Sequence, residues 1–196
     1  MSSSFQNDSL GCNSVSWAPY SALGSIMEDG SSVRRLVTGS CDNSVRVWAY
    51  NVQLNKWQEE SKQASPHKGL NLIRPFAIWR QIICYLYTCN LLDWVRDVAW
   101  APNTAMPYNI IASCSEDRSV YIWKQIEKNG LWIPTLMKTF DAPVWRVSWS
   151  VTGNVLAVST GDHKVTLWKQ AVTEEWTQIS SVEDETPINW SGRSLG

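Results

Sequence analysis

The heptapeptide D-x-x-V-x-x-W occurs three times in this chain. The copies are Asp42-Asn43-Ser44-Val45-Arg46-Val47-Trp48, Asp117-Arg118-Ser119-Val120-Tyr121-Ile122-Trp123 and Asp162-His163-Lys164-Val165-Thr166-Leu167-Trp168. A short apolar run precedes each copy, and the side chains then alternate with the period of two that a β-strand shows. The Asp lies among small polar residues, where its carboxylate can accept backbone N–H bonds in a turn. Each copy therefore predicts a strand, a turn and a second strand.

Two further strands complete each unit. The upstream strand reads Val15-Ser16-Trp17, Val98-Ala99-Trp100 and Val147-Ser148-Trp149 in the three units. The downstream strand is marked by Trp57, Trp132 and Trp176. Four strands in a unit with a repeated Trp predict the blade of a β-propeller.

The spacing of the units agrees with WD repeats in one interval and departs from them in the other. Trp123 and Trp168 are 45 residues apart, within the roughly 40 to 45 residues of a WD-repeat blade. Trp48 and Trp123 are 75 apart, and the excess lies between His67 and Asp93. The sequence therefore predicts an all-β fold of about three four-stranded WD-type propeller blades, with an insertion over 68–91.

The insertion is apolar and irregular, and its sequence leaves two structural interpretations open. A membrane span is disfavoured because Pro75 and Arg80 interrupt a stretch that is shorter than the about 18 to 20 apolar residues a span needs. A helical lid or partner-binding segment remains an alternative, although the apolar residues form no clean 3.6-residue stripe.

Composition excludes several classes of function. The 17 Lys and Arg residues are balanced by 18 Asp and Glu, without a basic run that could follow a phosphate backbone, so direct nucleic-acid binding is not expected. Residues 1–10 are polar, are expected to be disordered and lack the features of a signal peptide, which predicts a location in the cytosol or nucleus.

The residues that could carry chemistry do not form a recognisable site. The five cysteines contain no C-x-x-C pair and are predicted to be small buried hydrophobes, and His67 and His163 are far apart in the sequence. No metal site and no cofactor are predicted. The aspartates recur at the same turn position in every unit, whereas catalytic groups converge on one point. The chain is therefore predicted not to be an enzyme.

The strands on either side of the insertion carry a family resemblance. Three strings resemble the Sec-thirteen family, the WD-repeat propeller subunit shared by the COPII vesicle coat and the nuclear pore Y-complex: Gly11–Pro19, Asp93-Trp94-Val95-Arg96-Asp97-Val98-Ala99-Trp100-Ala101-Pro102 and Gly161–Lys169. The resemblance covers 11–67 and 92–182 and leaves 183–196 as a C-terminal tail. It implies an incomplete six-bladed propeller, because only the segment that matches the last three blades is present.

The resemblance also implies roles for individual residues. Asp42, Asp117 and Asp162, with Trp48, Trp123 and Trp168, are expected to hold the blade hairpins, and His67 resembles the family's blade-junction histidine, displaced here by the insertion. Because the family's equivalent of His67 lies almost directly before Asp93-Trp94, residues 68–91 are interpreted as translated intron or a mis-drawn exon boundary. Sequencing the transcript tests this interpretation: finding those codons in the dominant spliced message would exclude it.

The implied function is that of a non-catalytic scaffold that supports ER-to-Golgi vesicle formation and nuclear pore structure. The implied partners are the helical-solenoid outer-cage subunit of the coat and a Y-complex nucleoporin, each adding a blade or strand to the propeller. The implied location is cytoplasmic, at the vesicle coat and the nuclear pore, with only peripheral membrane contact. The alternatives are another WD-repeat adaptor, such as a ubiquitin-ligase substrate receptor or a nutrient-signalling complex subunit, and a truncated product without independent function. Unpaired blade faces would also favour self-association.

Overall fold

The computed structural model describes residues 11–26, 30–63, 94–102, 107–128, 130–171 and 174–183. They form twelve strands in three four-stranded antiparallel sheets. The predicted all-β fold of about three WD-type blades is confirmed. His67, the insertion 68–91, residues 1–10 and the tail from 184 lie outside the described residues.

Each sheet uses four consecutive strands and is called a blade here. Blade 1 contains β1 (Cys12–Trp17), β2 (Arg35–Ser40), β3 (Val45–Asn51) and β4 (Lys56–Gln63). Blade 2 contains β5 (Val95–Trp100), β6 (Asn109–Ser115), β7 (Ser119–Gln125) and β8 (Ile133–Thr139). Blade 3 contains β9 (Val144–Trp149), β10 (Val155–Thr160), β11 (Lys164–Gln170) and β12 (Trp176–Glu183).

The core lies between the blades. One cluster joins blades 1 and 2 and includes Val37, Val47, Val98, Ile111 and Trp123. A second joins blades 2 and 3 through Ala112, Ile122, Val147, Leu156 and Trp168. Blade 2 contributes to both, so every residue of β6 is buried. The repeat thus folds as a stack in which blade 2 buries both faces, whereas blades 1 and 3 each bury the face that meets blade 2.

The first strands of the blades lie side by side. Ser16 of β1 accepts a bond at its Oγ from the Trp100 backbone N–H at 3.0 Å, and the Asn13 side chain donates to the Val95 carbonyl at 2.9 Å. Between β5 and β9 the Trp149 indole N–H donates to the Ala99 carbonyl at 3.1 Å. These bonds fix the order of the stack as blade 1, blade 2, blade 3.

The structure differs from the sequence interpretation at one strand boundary. Trp57 and Trp176 lie at the start of β4 and β12, but Trp132 precedes β8. The loop before β8 is fixed by Gln125, whose side-chain N–H donates to the Gly130 carbonyl at 2.9 Å. Trp132 is thereby buried in an edge-on contact with Trp100, with 5.5 Å between the ring centroids. Equal spacing in the sequence therefore did not mean equal position in the strand.

The connection between β1 and β2 is docked on blade 2. Asn109 exchanges two hydrogen bonds with the Leu23 backbone, both 2.9 Å long, and Arg35 donates to the Leu23 carbonyl at 2.6 Å. Ala22 and Ser25 are buried there. The described part of this connection is a structural element of the junction between blades 1 and 2.

No helix among the described residues is long and apolar enough to cross a membrane.

Candidate functional site

The three aspartates of the repeat lie in the hairpins between the second and third strands of their blades. Asp42 accepts the Ser44 hydroxyl at 2.5 Å and the Ser44 backbone N–H at 3.2 Å, and it forms an ion pair with the buried Arg46. Asp117 accepts the Ser119 backbone N–H at 2.8 Å and the Ser119 hydroxyl at 2.5 Å. Each of these two carboxylates bonds to the serine two positions later, which lies just before β3 in blade 1 and at the start of β7 in blade 2.

Asp162 is held differently from the other two. Its carboxylate accepts the Thr160 hydroxyl, and Lys164 lies 3.8 Å from it. The Thr160 hydrogen bond is the main reason that the pKa of Asp162 is lower than usual. In this exposed hairpin the carboxylate therefore remains ionised as a hydrogen-bond acceptor.

The residue after each aspartate has a left-handed backbone. The φ angles are 64° at Asn43, 70° at Arg118 and 62° at His163. Asn adopts this region readily because its short amide can bond to the local backbone, whereas a long side chain is strained there. Each hairpin closes at the cost of a backbone conformation that glycine would adopt more easily.

Arg118→Gly is expected to stabilise the chain by about 0.5–1 kcal/mol, because it removes the Cβ from a left-handed position at an exposed site. Urea unfolding monitored by tryptophan fluorescence measures the change. Asn43→Gly is the matched control in the equivalent turn and is expected to be neutral or slightly destabilising, since Asn already tolerates the angle and Gly loosens the unfolded chain. Equal gains at both positions would contradict the explanation.

The tryptophans that end the repeat are buried and donate their indole N–H groups. Trp48 donates to Thr38 at 3.0 Å and Trp123 donates to Ser113 at 2.9 Å. Both acceptors lie on the second strand of the blade, two residues past the residue that pairs with the tryptophan. Each bond satisfies a polar group that would be costly to bury alone.

In blade 3 the buried indole N–H of the tryptophan donates to a residue at a different position. The position equivalent to Thr38 and Ser113 is Val158, whose side chain has no acceptor. Trp168 donates instead to Thr166 on its own strand at 2.8 Å. Lys138 of blade 2 lies over the Trp168 ring, with its Nζ 4.6 Å from the ring centroid. The three motifs are alike in sequence, but the third has its own hydrogen-bonding arrangement.

A carboxylate outside the repeat motif joins all three blades. Asp97 in β5 accepts the Ser14 hydroxyl of blade 1 at 2.5 Å through one oxygen and the Val147 backbone N–H of blade 3 at 3.1 Å through the other. Asp97 was not among the residues predicted from the sequence to hold the fold. The sequence does contain an indication of its role: Ser14, Asp97 and Arg146 occupy the same position in the three copies but differ in charge and hydrogen-bonding groups.

Two paired arginines, the buried Arg35 and the partly exposed Arg96, also lie at blade junctions. Arg35 donates twice to the Glu60 carboxylate and contacts the Trp100 ring at 5.4 Å. Arg96 pairs with Glu116 and lies between the rings of Trp94 and Trp145, at 5.0 Å from each centroid. Charges that are paired in this way fix the relative placement of the elements that carry them.

The described cysteines are not alike. Cys114 is buried in β6, and burial, followed by the nearby Asp97 charge, raises the pKa of its thiol well above the usual range. It therefore remains a neutral thiol at physiological pH and a poor nucleophile. Cys12 is exposed, so the prediction that the cysteines are buried hydrophobes is wrong there. Its equivalents Val95 and Val144 are buried because a preceding blade covers them.

Within the described ranges, no three His, Cys, Asp or Glu side chains are grouped so that they could hold a metal ion.

Comparison with known proteins places this arrangement in a family. The model of the WD domain, G-beta repeat, matches residues 2–49, 84–124 and 134–169. The chain is 48% identical to the Protein SEC13 homolog of Dictyostelium discoideum over 152 residues, which is 78% of this chain and 41% of that protein.

Two further relatives extend the similarity over more of the chain. Identity is 40% with the Protein SEC13 homolog of Homo sapiens over 179 residues, covering 88% of this chain and 48% of the relative. With Protein transport protein SEC13 of Pyricularia oryzae it is 41% over 179 residues, covering 89% and 53%. The chain spans about half the length of these relatives. It belongs to the WD-repeat family and, within that family, to the Sec13 homologues.

Proposed function

We propose that this chain is a non-catalytic scaffold that acts in protein transport, as a propeller subunit of the COPII coat in ER-to-Golgi vesicle formation and as a structural component of the nuclear pore. The observation that carries the proposal is the similarity, at 38–41% identity over about nine-tenths of the chain, to relatives named as protein transport proteins. The place of action would be the cytoplasmic face of the endoplasmic reticulum and the nuclear pore.

The blade junctions support a scaffold role. A scaffold must keep its shape when a load acts on it, and here ionised or hydrogen-bonded side chains cross each junction between the apolar clusters. Asp97 ties three blades together, and Arg35 and Arg96 are each held by a carboxylate and an aromatic ring. The repeat aspartates bond within their own hairpins. The charged residues in these contacts hold strands and blades in fixed relative positions.

The partners in this proposal are the helical-solenoid outer-cage subunit of the coat and a Y-complex nucleoporin. Each would add a strand or a blade to the propeller, so that main-chain hydrogen bonds supply affinity and side chains supply specificity. The added strand would form with a blade the same kind of backbone hydrogen bonds that join the chain's own strands.

A pull-down of the tagged chain from cell extract, followed by mass spectrometry, tests the proposal. A parallel version lacking residues 68–91 shows whether that segment affects binding. Arg118→Gly is a suitable positive control for folding, since it alters only an exposed turn. We expect the outer-cage subunit or Y-complex nucleoporins to be recovered with at least one version.

Other outcomes would replace the proposal. Recovery of ubiquitin-ligase subunits or of a nutrient-signalling complex would assign the chain to another class of WD-repeat adaptor. Recovery of chaperones alone with both versions would mean that the chain is a product without independent function.

A further inference from the structure

The outer face of blade 1 carries the same side-chain positions that are buried in the other two blades. Val98 and Trp100 in blade 2 are 2% and 5% exposed, because blade 1 covers them. Their register equivalents in blade 1 are Val15 and Trp17, which are 57% and 60% exposed. Large exposed apolar side chains at a position that is otherwise a junction indicate an interaction surface.

Blade 3 presents the complementary half of a junction on its own outer face. Blades 1 and 2 cover the next blade with small and apolar residues of their second and third strands, Val37, Gly39, Val45 and Val47 in blade 1. The register equivalents in blade 3 are Ala157, Ser159, Val165 and Leu167, and Val165 is 39% exposed. The chain therefore exposes both halves of the contact that it makes internally.

We propose that these two surfaces bind each other in a second copy of this chain, so that blade 3 of one copy covers blade 1 of the other. The contact is head to tail, and two copies related by a two-fold axis would form it twice and close a ring of six blades. A net charge of -1 per chain offers little electrostatic opposition to the pairing. The proposal does not depend on any coat or pore function.

The internal junction predicts which atoms meet across the pair. An ideal Cβ on Gly39 would lie 3.5 Å from the Cβ of Val95. The corresponding positions across the proposed contact are Ser159 of one copy and Cys12 of the other. A Cβ separation of about 3.5 Å is within the range of about 3.5–4.5 Å found in disulfides. A single substitution, Ser159→Cys, should therefore allow a disulfide with Cys12 to form across the proposed contact.

The first experiment measures the mass of the purified chain by size-exclusion chromatography with light scattering. We expect twice the 22.2 kDa of one chain, and a single-chain mass for Trp17→Glu and for Val165→Glu. Val52→Glu, in an exposed turn away from both surfaces, is the matched control and should pair normally. Far-UV circular dichroism confirms that the variants fold. Mixing the two single variants should restore a pair. Trp17→Glu keeps the blade 3 surface intact and Val165→Glu keeps the blade 1 surface intact, so one unaltered contact can form between them.

The second experiment is oxidation of Ser159→Cys, which should give a covalent pair on non-reducing gels that disappears when Cys12→Ser is added. A single-chain mass at all concentrations with no cross-link would overturn the proposal. So would pairing that survives both glutamate substitutions, or a series of larger species in place of a closed pair. Because only the purified chain is used, these results are independent of the pull-down.

Discussion

Trp123→Ala is expected to destabilise the chain by about 3–5 kcal/mol, the range found when large aromatic side chains are removed from cores. Trp123 is 1% exposed and packs in the cluster that joins blades 1 and 2. Truncation would leave a cavity there and would also leave the Ser113 hydroxyl without the indole N–H that it accepts at 2.9 Å. Since single domains are stable by only about 5–15 kcal/mol, this change removes a large fraction of the total.

Urea unfolding at one fixed protein concentration measures the effect, because self-association would otherwise shift the midpoint. Trp123→Phe separates the two contributions. It keeps most of the apolar volume but loses the N–H donor, so we expect a smaller loss of about 1–3 kcal/mol. If Trp123→Ala and Trp123→Phe cost the same, the cavity is not the main contribution. A loss below about 1 kcal/mol for alanine would show that the junction is not packed as described.

The fold could be predicted from the sequence because its signal is repeated. Three copies of one heptapeptide fix the hairpin of each blade, and matching strands upstream of each copy supply the partners that it needs. Errors arose where the copies differ in length or chemistry. Trp132 lies before β8 because the loop at Gly130 is not the loop of the other blades. Val158 removes the acceptor used in the first two blades, and Thr166 replaces it.

The residues that join blades could not be predicted in the same way. Asp97 bonds to Ser14 and to the Val147 backbone, which are 83 and 50 residues away in sequence. Comparing the three copies shows which positions are equivalent in each blade, but it does not show which residues meet between blades. The inter-blade contacts also use different residue types at equivalent positions. Arg35 of blade 1 gives a second example, since it contacts the Trp100 ring of blade 2 and lies outside the repeated heptapeptide. Inter-blade contacts therefore required the three-dimensional arrangement.

Gly39→Val is expected to break the junction between blades 1 and 2 without changing either surface polarity or charge. A Cβ built on Gly39 would lie 2.7 Å from Cγ1 of Val95 and 3.0 Å from Cγ1 of Val98. Both valines are buried and branched, so they cannot move away without displacing β5. Overpacking of a core costs about 1–3 kcal/mol, and valine adds two methyl groups beyond the Cβ that already clashes.

Ser159→Val is the matched control for this prediction, because Ser159 occupies the equivalent place in blade 3 and is only partly buried. At a dilution where the chain is a monomer, it should change the free energy of unfolding by less than about 0.5 kcal/mol. Gly39→Val should lower the urea midpoint and increase hydrogen exchange in β2 and β5, where the two blades meet. Equal effects of the two substitutions would contradict the explanation. They would show that blades 1 and 2 leave room for a side chain at Gly39 and are packed less closely than the distances from Gly39 to Val95 and Val98 indicate.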